Sequence, residues 1–243
     1  MVSTGMKRYR QRGAAEAKLV GERCATALDP EQLFGRQAPL RLEIGFGHGR
    51  FLSQMAAAHP DCDFIGVEQQ DLRVTKTAHH SVKLGADNVR LYWDDAHRFV
   101  RQRLPEACLE RAYILFPDPW PKQRHRRRRL MNRSLLLDLA WALAPGGRLI
   151  IASDTHNYAL QALTNCSTLP GVFRNCYAPQ GYRFDIPTRF PTVFEQHKKA
   201  EGCRICYLLL ERTDHAPPPR SSWPGLNGGS PLRRIPSSVD NDC

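Results

Sequence analysis

Asp118 stands alone as an acid in the stretch ILFPDPWPKQRHRRRRLM (residues 114–131), held between Pro117 and Pro119. Five arginines, a lysine and a histidine follow it at once. An acid closing an apolar run can face a cation or a hydrogen-bonding base. Crowded guanidinium groups suit phosphate, which they grip with charge-assisted and partly bidentate bonds. Upstream, LEIGFGHGRF (residues 42–51) places Glu43 just ahead of Gly45, Gly47 and Gly49, glycines that allow a tight turn and a close ligand approach. The next apolar runs end on Glu68, on the pair Asp94 and Asp95, and on Asp118. Each acid taken singly is equally a helix N-cap or a solvated strand end. Four such ends in succession beside a glycine turn favour a ligand site.

Those acids need elements that bring them to one place. Short apolar runs, LRLEIG, DFIGVE, NVRLYW, AYILF and RLIIAS, have the length and composition of buried strands. Between them lie helical stretches, RFLSQMAAAH, DLRVTKTAHHSVKLG and RSLLLDLAWAL. Alternating strands and helices predict an α/β fold, a mostly parallel sheet with helices on both faces. Ligands bind such sheets beyond the carboxyl ends of the strands. APGG at 144–147 is expected to end a helix and turn the chain into the fifth strand. Residues 172–212 read as an antiparallel edge. Residues 14–28 read as a modest helix behind a basic arm, and the Pro/Gly/Ser-rich end as a disordered tail. The expected organisation is 1–39 arm and helix, 40–212 folded domain and 213–243 tail.

The acids also discriminate between cofactors. A pyrophosphate would be repelled by Glu43. S-adenosylmethionine carries a sulfonium, an ammonium, a ribose and an adenine, and no phosphate. Glu43 then lies nearest the methionine half, Glu68 on the ribose diol and Asp95 at the adenine amine. A nicotinamide dehydrogenase would use a similar glycine turn and strand-end acid, but leaves Asp118 and its arginines unexplained.

Composition points to a polyanionic partner. Lys and Arg number 35 against 24 Asp and Glu, a net charge of +11 that favours nucleic acid. The start, MVSTGMKRYRQRG, has no apolar stretch after its basic residues, so it does not read as a secretory signal. No run is long and apolar enough to cross a bilayer. A cytoplasmic protein with reduced thiols is expected. Cys203 and Cys206 make a lone CxxC inside a strand-like segment, and no metal site is expected there.

LEIGFGHG, DFIGVE, FPDPWPKQRHRRRRL, ASD and PTVFEQHKKAEGCRICYLLLER together resemble the tRNA (guanine-N7-)-methyltransferase family, bacterial TrmB type, over residues 40–212. The resemblance implies a class I S-adenosylmethionine-dependent methyltransferase fold, Rossmann-like and seven-stranded with an antiparallel C-terminal edge. It implies methylation of a guanine at position 46, in the tRNA variable loop. The family's cofactor acids fall on Glu43, Glu68, Asp95 and Asp118. Its substrate residues fall on Lys122, Asp154 and Thr192, Val193, Phe194 and Glu195. Thr192 and Glu195 equally have the spacing of a helix capping box.

With guanine as substrate, Asp118 becomes the candidate catalytic group, holding the base while Lys122, Arg124, Arg126, Arg127, Arg128 and Arg129 meet phosphates. Such contacts position RNA rather than read its sequence. His125 and Trp120 stay open between substrate contact and packing. Methylation of another RNA base, or a catalytically silent tRNA-binding subunit, are the competing readings. The sequence leaves monomer and homodimer equally open.

Overall fold

The computed structural model describes residues 15–16, 18–19, 27–120, 129–184 and 190–218. Its centre is the run of five parallel strands β1 (Leu40–Ile44), β2 (Asp63–Glu68), β3 (Val89–Trp93), β4 (Leu109–Leu115) and β5 (Leu143–Ser153). Every residue of β1 and β2 is buried. Strands covered on both faces are rich in apolar residues, and the polar side chains they do carry, Arg41, Glu43, Asp63 and Glu68, are buried as well.

Two cores lie on the two faces. On β1, Leu40, Leu42 and Ile44 join one cluster with Phe99, Leu135, Leu139 and Tyr158. Phe64, one residue out of phase with Ile65 and Val67 on β2, joins the other with Phe51, Leu52, Val74 and Ala78. This period-two division places α2 (Arg50–Ala58) and α3 (Asp71–Lys83) on one face. The other face carries α4 (Ala96–Arg103), α5 (Arg133–Ala142) and α6 (His156–Ser167). A further short helix, α1 (Pro30–Phe34), is capped by Asp29, whose carboxylate accepts from the Glu31 and Gln32 amides.

The strand order is β3-β2-β1-β4-β5-β8-β6. The order reverses between β1 and β4, so the crevice at a topological switch point opens beyond their carboxyl ends. β6 (Phe173–Asn175), β7 (Arg183–Phe184) and β8 (Cys206–Arg212) complete the sheet. β8 inserts antiparallel between β5 and β6, pairing Arg148 with Glu211 through Ser153 with Cys206. The sheet has eight strands rather than the expected seven, because the two-residue β7 adds to β8 at Arg183 and Tyr207. α7 (Val193–Ala200) precedes β8. The APGG segment lies within β5, after α5 has ended at Ala142, and the β4–β5 register slips there between Leu109 and Arg111.

The helix expected at 14–28 falls largely outside the described residues, though Ala15 and Glu16 are helical. Leu19 bridges Leu91, and the Lys18 carbonyl accepts from the Leu91 amide at 2.8 Å, so this segment covers the β3 edge. Within the expected arm, Arg36 pairs with buried Asp63 at 2.7 Å. At the expected tail, Thr213 donates its amide to Val172 O at 3.1 Å, and residues 219–243 lie outside the described residues. Among the described residues no helix is long and apolar enough to cross a membrane.

Gly49 fixes how α2 meets α3. Its φ is +65°, and a Cβ there would sit 2.1 Å from the Thr77 side chain. Ser53 and Ser81 hydroxyls meet at 2.8 Å one turn further along the same contact. Gly49→Ala is expected to cost about 2–4 kcal/mol, combining left-handed strain with overpacking. Urea unfolding measures this; a midpoint equal to wild type would show that the two helices separate freely.

Candidate active site

The glycine turn after β1 alternates into the left-handed region at Gly45 (φ 70°), Gly47 (φ 56°) and Gly49 (φ 65°). A Cβ at Gly45 would meet no atom within 4 Å, so its left-handed backbone, not crowding by the protein, calls for glycine. Glu43 is only 2% exposed, in register with Gly66 on β2 and Tyr113 on β4. It thus sits at the floor of the switch-point crevice.

Glu68 ends β2 and ties the rim together. One carboxylate oxygen accepts the Gly47 amide at 2.9 Å, while the other accepts the amides of Gln69 at 2.8 Å and Gln70 at 3.2 Å. Arg73 lies 3.7 Å away on α3. The acid therefore fastens the glycine turn to the start of α3. Asp95 caps α4, accepting from the Arg98 amide at 3.0 Å, and also receives the Gln69 side-chain amide at 2.8 Å. Asp94 is more deeply buried and pairs with the Arg98 guanidinium. Gln69 was not signalled by spacing. It joins two of the acids, and its carbonyl accepts the Trp93 indole N–H at 3.0 Å.

Asp118 is exposed, three residues beyond β4. Its turn is bracketed by two non-glycine residues in the left-handed region, Phe116 (φ 56°) and Trp120 (φ 40°). Each such residue costs roughly 1–2 kcal/mol, so surrounding contacts must hold it. Phe116 donates its amide to Ala152 O on β5 at 2.8 Å, and its ring meets that of Phe194 at 5.1 Å.

Asp154 lies half-buried just past β5. On α7, Lys198 pairs with Glu201 at 2.8 Å, which raises the pKa of its ammonium. The Thr192 hydroxyl accepts from the Glu195 amide at 3.0 Å, the capping arrangement that the spacing allowed. Glu195 is 2% exposed, receives the Tyr207 hydroxyl and lies 3.1 Å from the Lys199 ammonium. Both residues are tied into α7 by these contacts. Val193 is half-buried, and Phe194, 43% exposed, is the member of the stretch that reaches the Asp118 turn.

Lys122, Arg124, His125 and Arg126 to Arg128 lie outside the described residues. Arg129, expected at a phosphate, is a buried member of that basic stretch. It is 6% exposed and turned inward, bonded to the Trp120 carbonyl at 3.3 Å and to the Gln161 side chain, with its guanidinium 5.6 Å over the Tyr158 ring. Five arginines in so short a stretch look alike in sequence, and the partners that single out this one lie on α6.

Comparison with known proteins decides the family. A family model described as "Putative methyltransferase" matches residues 37–206. The tRNA (guanine-N(7)-)-methyltransferase of Methylococcus capsulatus is 40% identical over 193 residues, covering 78% of this chain and 81% of its own. That of Rhodospirillum rubrum is 38% identical over 205 residues, covering 84% and 78%.

The chain belongs to the tRNA (guanine-N(7)-)-methyltransferase family.

Solved structures bear on the fold of this family member. The 16S rRNA (adenine(1408)-N(1))-methyltransferase from Catenulisporales acidiphilia superposes with a TM-score of 0.55 at 17% identity, covering 80% of this chain and 98% of that one. The 16S rRNA methyltransferase KamB gives 0.52 at 16% identity, covering 81% and 99%. At such identities the likeness concerns the class I methyltransferase fold. In this methyltransferase the matched region contains every acid of the rim, the Asp118 turn and Arg129.

Proposed function

We propose that this methyltransferase transfers a methyl group from S-adenosylmethionine to N7 of a guanine in tRNA, at position 46 of the variable loop. The observation that carries the reading is the convergence of Glu43, Glu68, Asp95 and Asp118 on one sheet edge at the switch point. The donor suits the residues present. Gly45 turns without filling the space beyond its Cα, and Glu68 is fixed beside the glycine turn. Glu43, Glu68 and Asp95 would hold it. When bound, it supplies an electrophilic methyl group on a sulfonium.

Guanine N7 is neutral and carries a free lone pair, so no residue has to remove a proton before attack. Alignment and charge management are the tasks left to the protein. Asp118 holds the N1–H and N2 amine edge and favours the positive charge that the base acquires. Asp154 and the exposed ring of Phe194 flank the target nucleoside. Lys122, Arg124 and Arg126 to Arg128 meet phosphates, which fixes register without reading sequence. We assign catalysis to the 40–212 domain. Deleting residues 215–243 is expected to leave methyl transfer largely intact. We infer a cytoplasmic location, in keeping with a tRNA substrate.

The test incubates the protein with unmodified tRNA transcript and labelled donor, then maps the modified nucleotide. Label in 7-methylguanosine at the variable loop is expected. Label in another base, or none, would overturn the assignment.

A further inference from the structure

We propose that Arg129 is a positioning residue for the Asp118 turn rather than a ligand of RNA. The inference rests on the methyl-transfer reading above and extends it. Residues 120 and 129 are brought together by the Arg129 Nη2 bond to the Trp120 carbonyl at 3.3 Å. Its Nη1 donates to the Gln161 side-chain oxygen. The guanidinium plane lies over Tyr158, 5.6 Å from the ring centroid. Tyr158 in turn accepts the Met131 amide on its hydroxyl at 3.1 Å, and Asn165 donates to the Met131 carbonyl at 2.6 Å. Tyr158, Gln161 and Asn165 sit at helical spacing on one face of α6, so that face anchors residues 129–131. Burial raises the Tyr158 pKa, so the hydroxyl stays protonated.

The consequence falls on Asp118. Trp120 is held in the left-handed region, and its carbonyl accepts from Arg129. The other end of the turn is fixed separately, by Phe116 to Ala152 on β5. Asp118 lies midway between these two supports. Loosening the Trp120 side lets the carboxylate drift while the rest of the sheet stays in place. An arginine suits the task because its planar fork reaches two acceptors and a ring together; a lysine offers a single point charge. A phosphate ligand would instead need solvent access that a 6% exposed side chain lacks.

The experiment compares wild type, Arg129→Lys, Arg129→Gln and Gln161→Ala by kcat, KM for tRNA, and the salt dependence of tRNA affinity. Expected for Arg129→Lys is a kcat lower by about 10- to 100-fold, the range for a displaced reacting group, with KM for tRNA near wild type. Expected for Arg129→Gln is a salt slope equal to wild type. A phosphate role predicts the opposite pattern: lysine retains activity, and glutamine lowers the slope by about 0.9. Either of those results overturns the proposal. If the Arg129 variants fail to fold, Gln161→Ala decides, with lowered kcat at unchanged tRNA affinity expected and wild-type kcat overturning the idea. A wild-type protein that does not methylate tRNA would remove the functional reading, and this inference with it. A wild type that does, beside an Arg129→Lys variant of equal kcat, would remove this inference alone.

Discussion

Asp118→Ala should lose most methyl transfer while binding tRNA almost as well as wild type. The side chain is exposed, so truncation costs the fold little, within about 0.5 kcal/mol for a surface change of this kind. Pro117 and Pro119 restrict the backbone on both sides, and Phe116 and Trp120 are held in left-handed conformations beyond them. The carboxylate is thus presented by a turn whose shape does not depend on it. Its value lies in charge that develops on guanine as the N7–methyl bond forms. Donors and acceptors aimed at such charge are typically worth about 10²–10³ in kcat, or roughly 2.7–4 kcal/mol. Asp118→Asn keeps an acceptor oxygen but not the charge and should fall between alanine and wild type. Single-turnover transfer to tRNA reads the chemical step, and filter binding reads affinity. A near-wild-type single-turnover rate for the alanine variant would move the guanine-holding role elsewhere on the rim.

How the rim is assembled was partly legible in the residues. β1, β2 and β4 announce themselves by short runs of buried aliphatic and aromatic residues, with few polar positions between them. Their terminal acids could then be placed on one edge by counting along each run. α4 was not visible in the same way. AHRFVRQR carries one histidine and three arginines, and its apolar content reduces to Ala96, Phe99 and Val100 on the buried side. The insertion of β8 between β5 and β6 is a non-local pairing, and local periodicity carries no record of strand order. The same limit applies to partners. Glu68 could be read as a strand-end acid, but its bonds to Gly47, Gln69 and Gln70 depend on how the glycine turn lies over β2. Thr192 and Glu195 show a spacing consistent with both a cap and a pocket; the cap is formed, and Tyr207 and Lys199 hold Glu195 inward. Arg129 takes its position from the Trp120 carbonyl and from Tyr158 and Gln161 on α6, partners that lie far from it in the sequence or across a turn.

Glu68→Ala should damage stability and donor binding together, and the two losses can be separated. The carboxylate satisfies three backbone amides, at Gly47, Gln69 and Gln70, while being 7% exposed. Hydrogen bonds to a charged group are worth about 1.5–3 kcal/mol each, but water entering the truncated site recovers part of that, so a net loss of about 2–4 kcal/mol is expected. Glu68→Gln keeps one acceptor oxygen and turns an amide toward donors, which should cost less in stability yet still lose the charge offered to a ribose diol. Urea unfolding measures the first quantity, and calorimetric titration with S-adenosylhomocysteine, the demethylated donor, measures the second. If Glu68 holds the ribose, affinity falls in both variants, including the better-folded glutamine form. If it serves only to clamp the glycine turn, affinity should track stability and Glu68→Gln should bind nearly as wild type. The glutamine variant therefore separates a residue that shapes the donor site from one that also touches the donor.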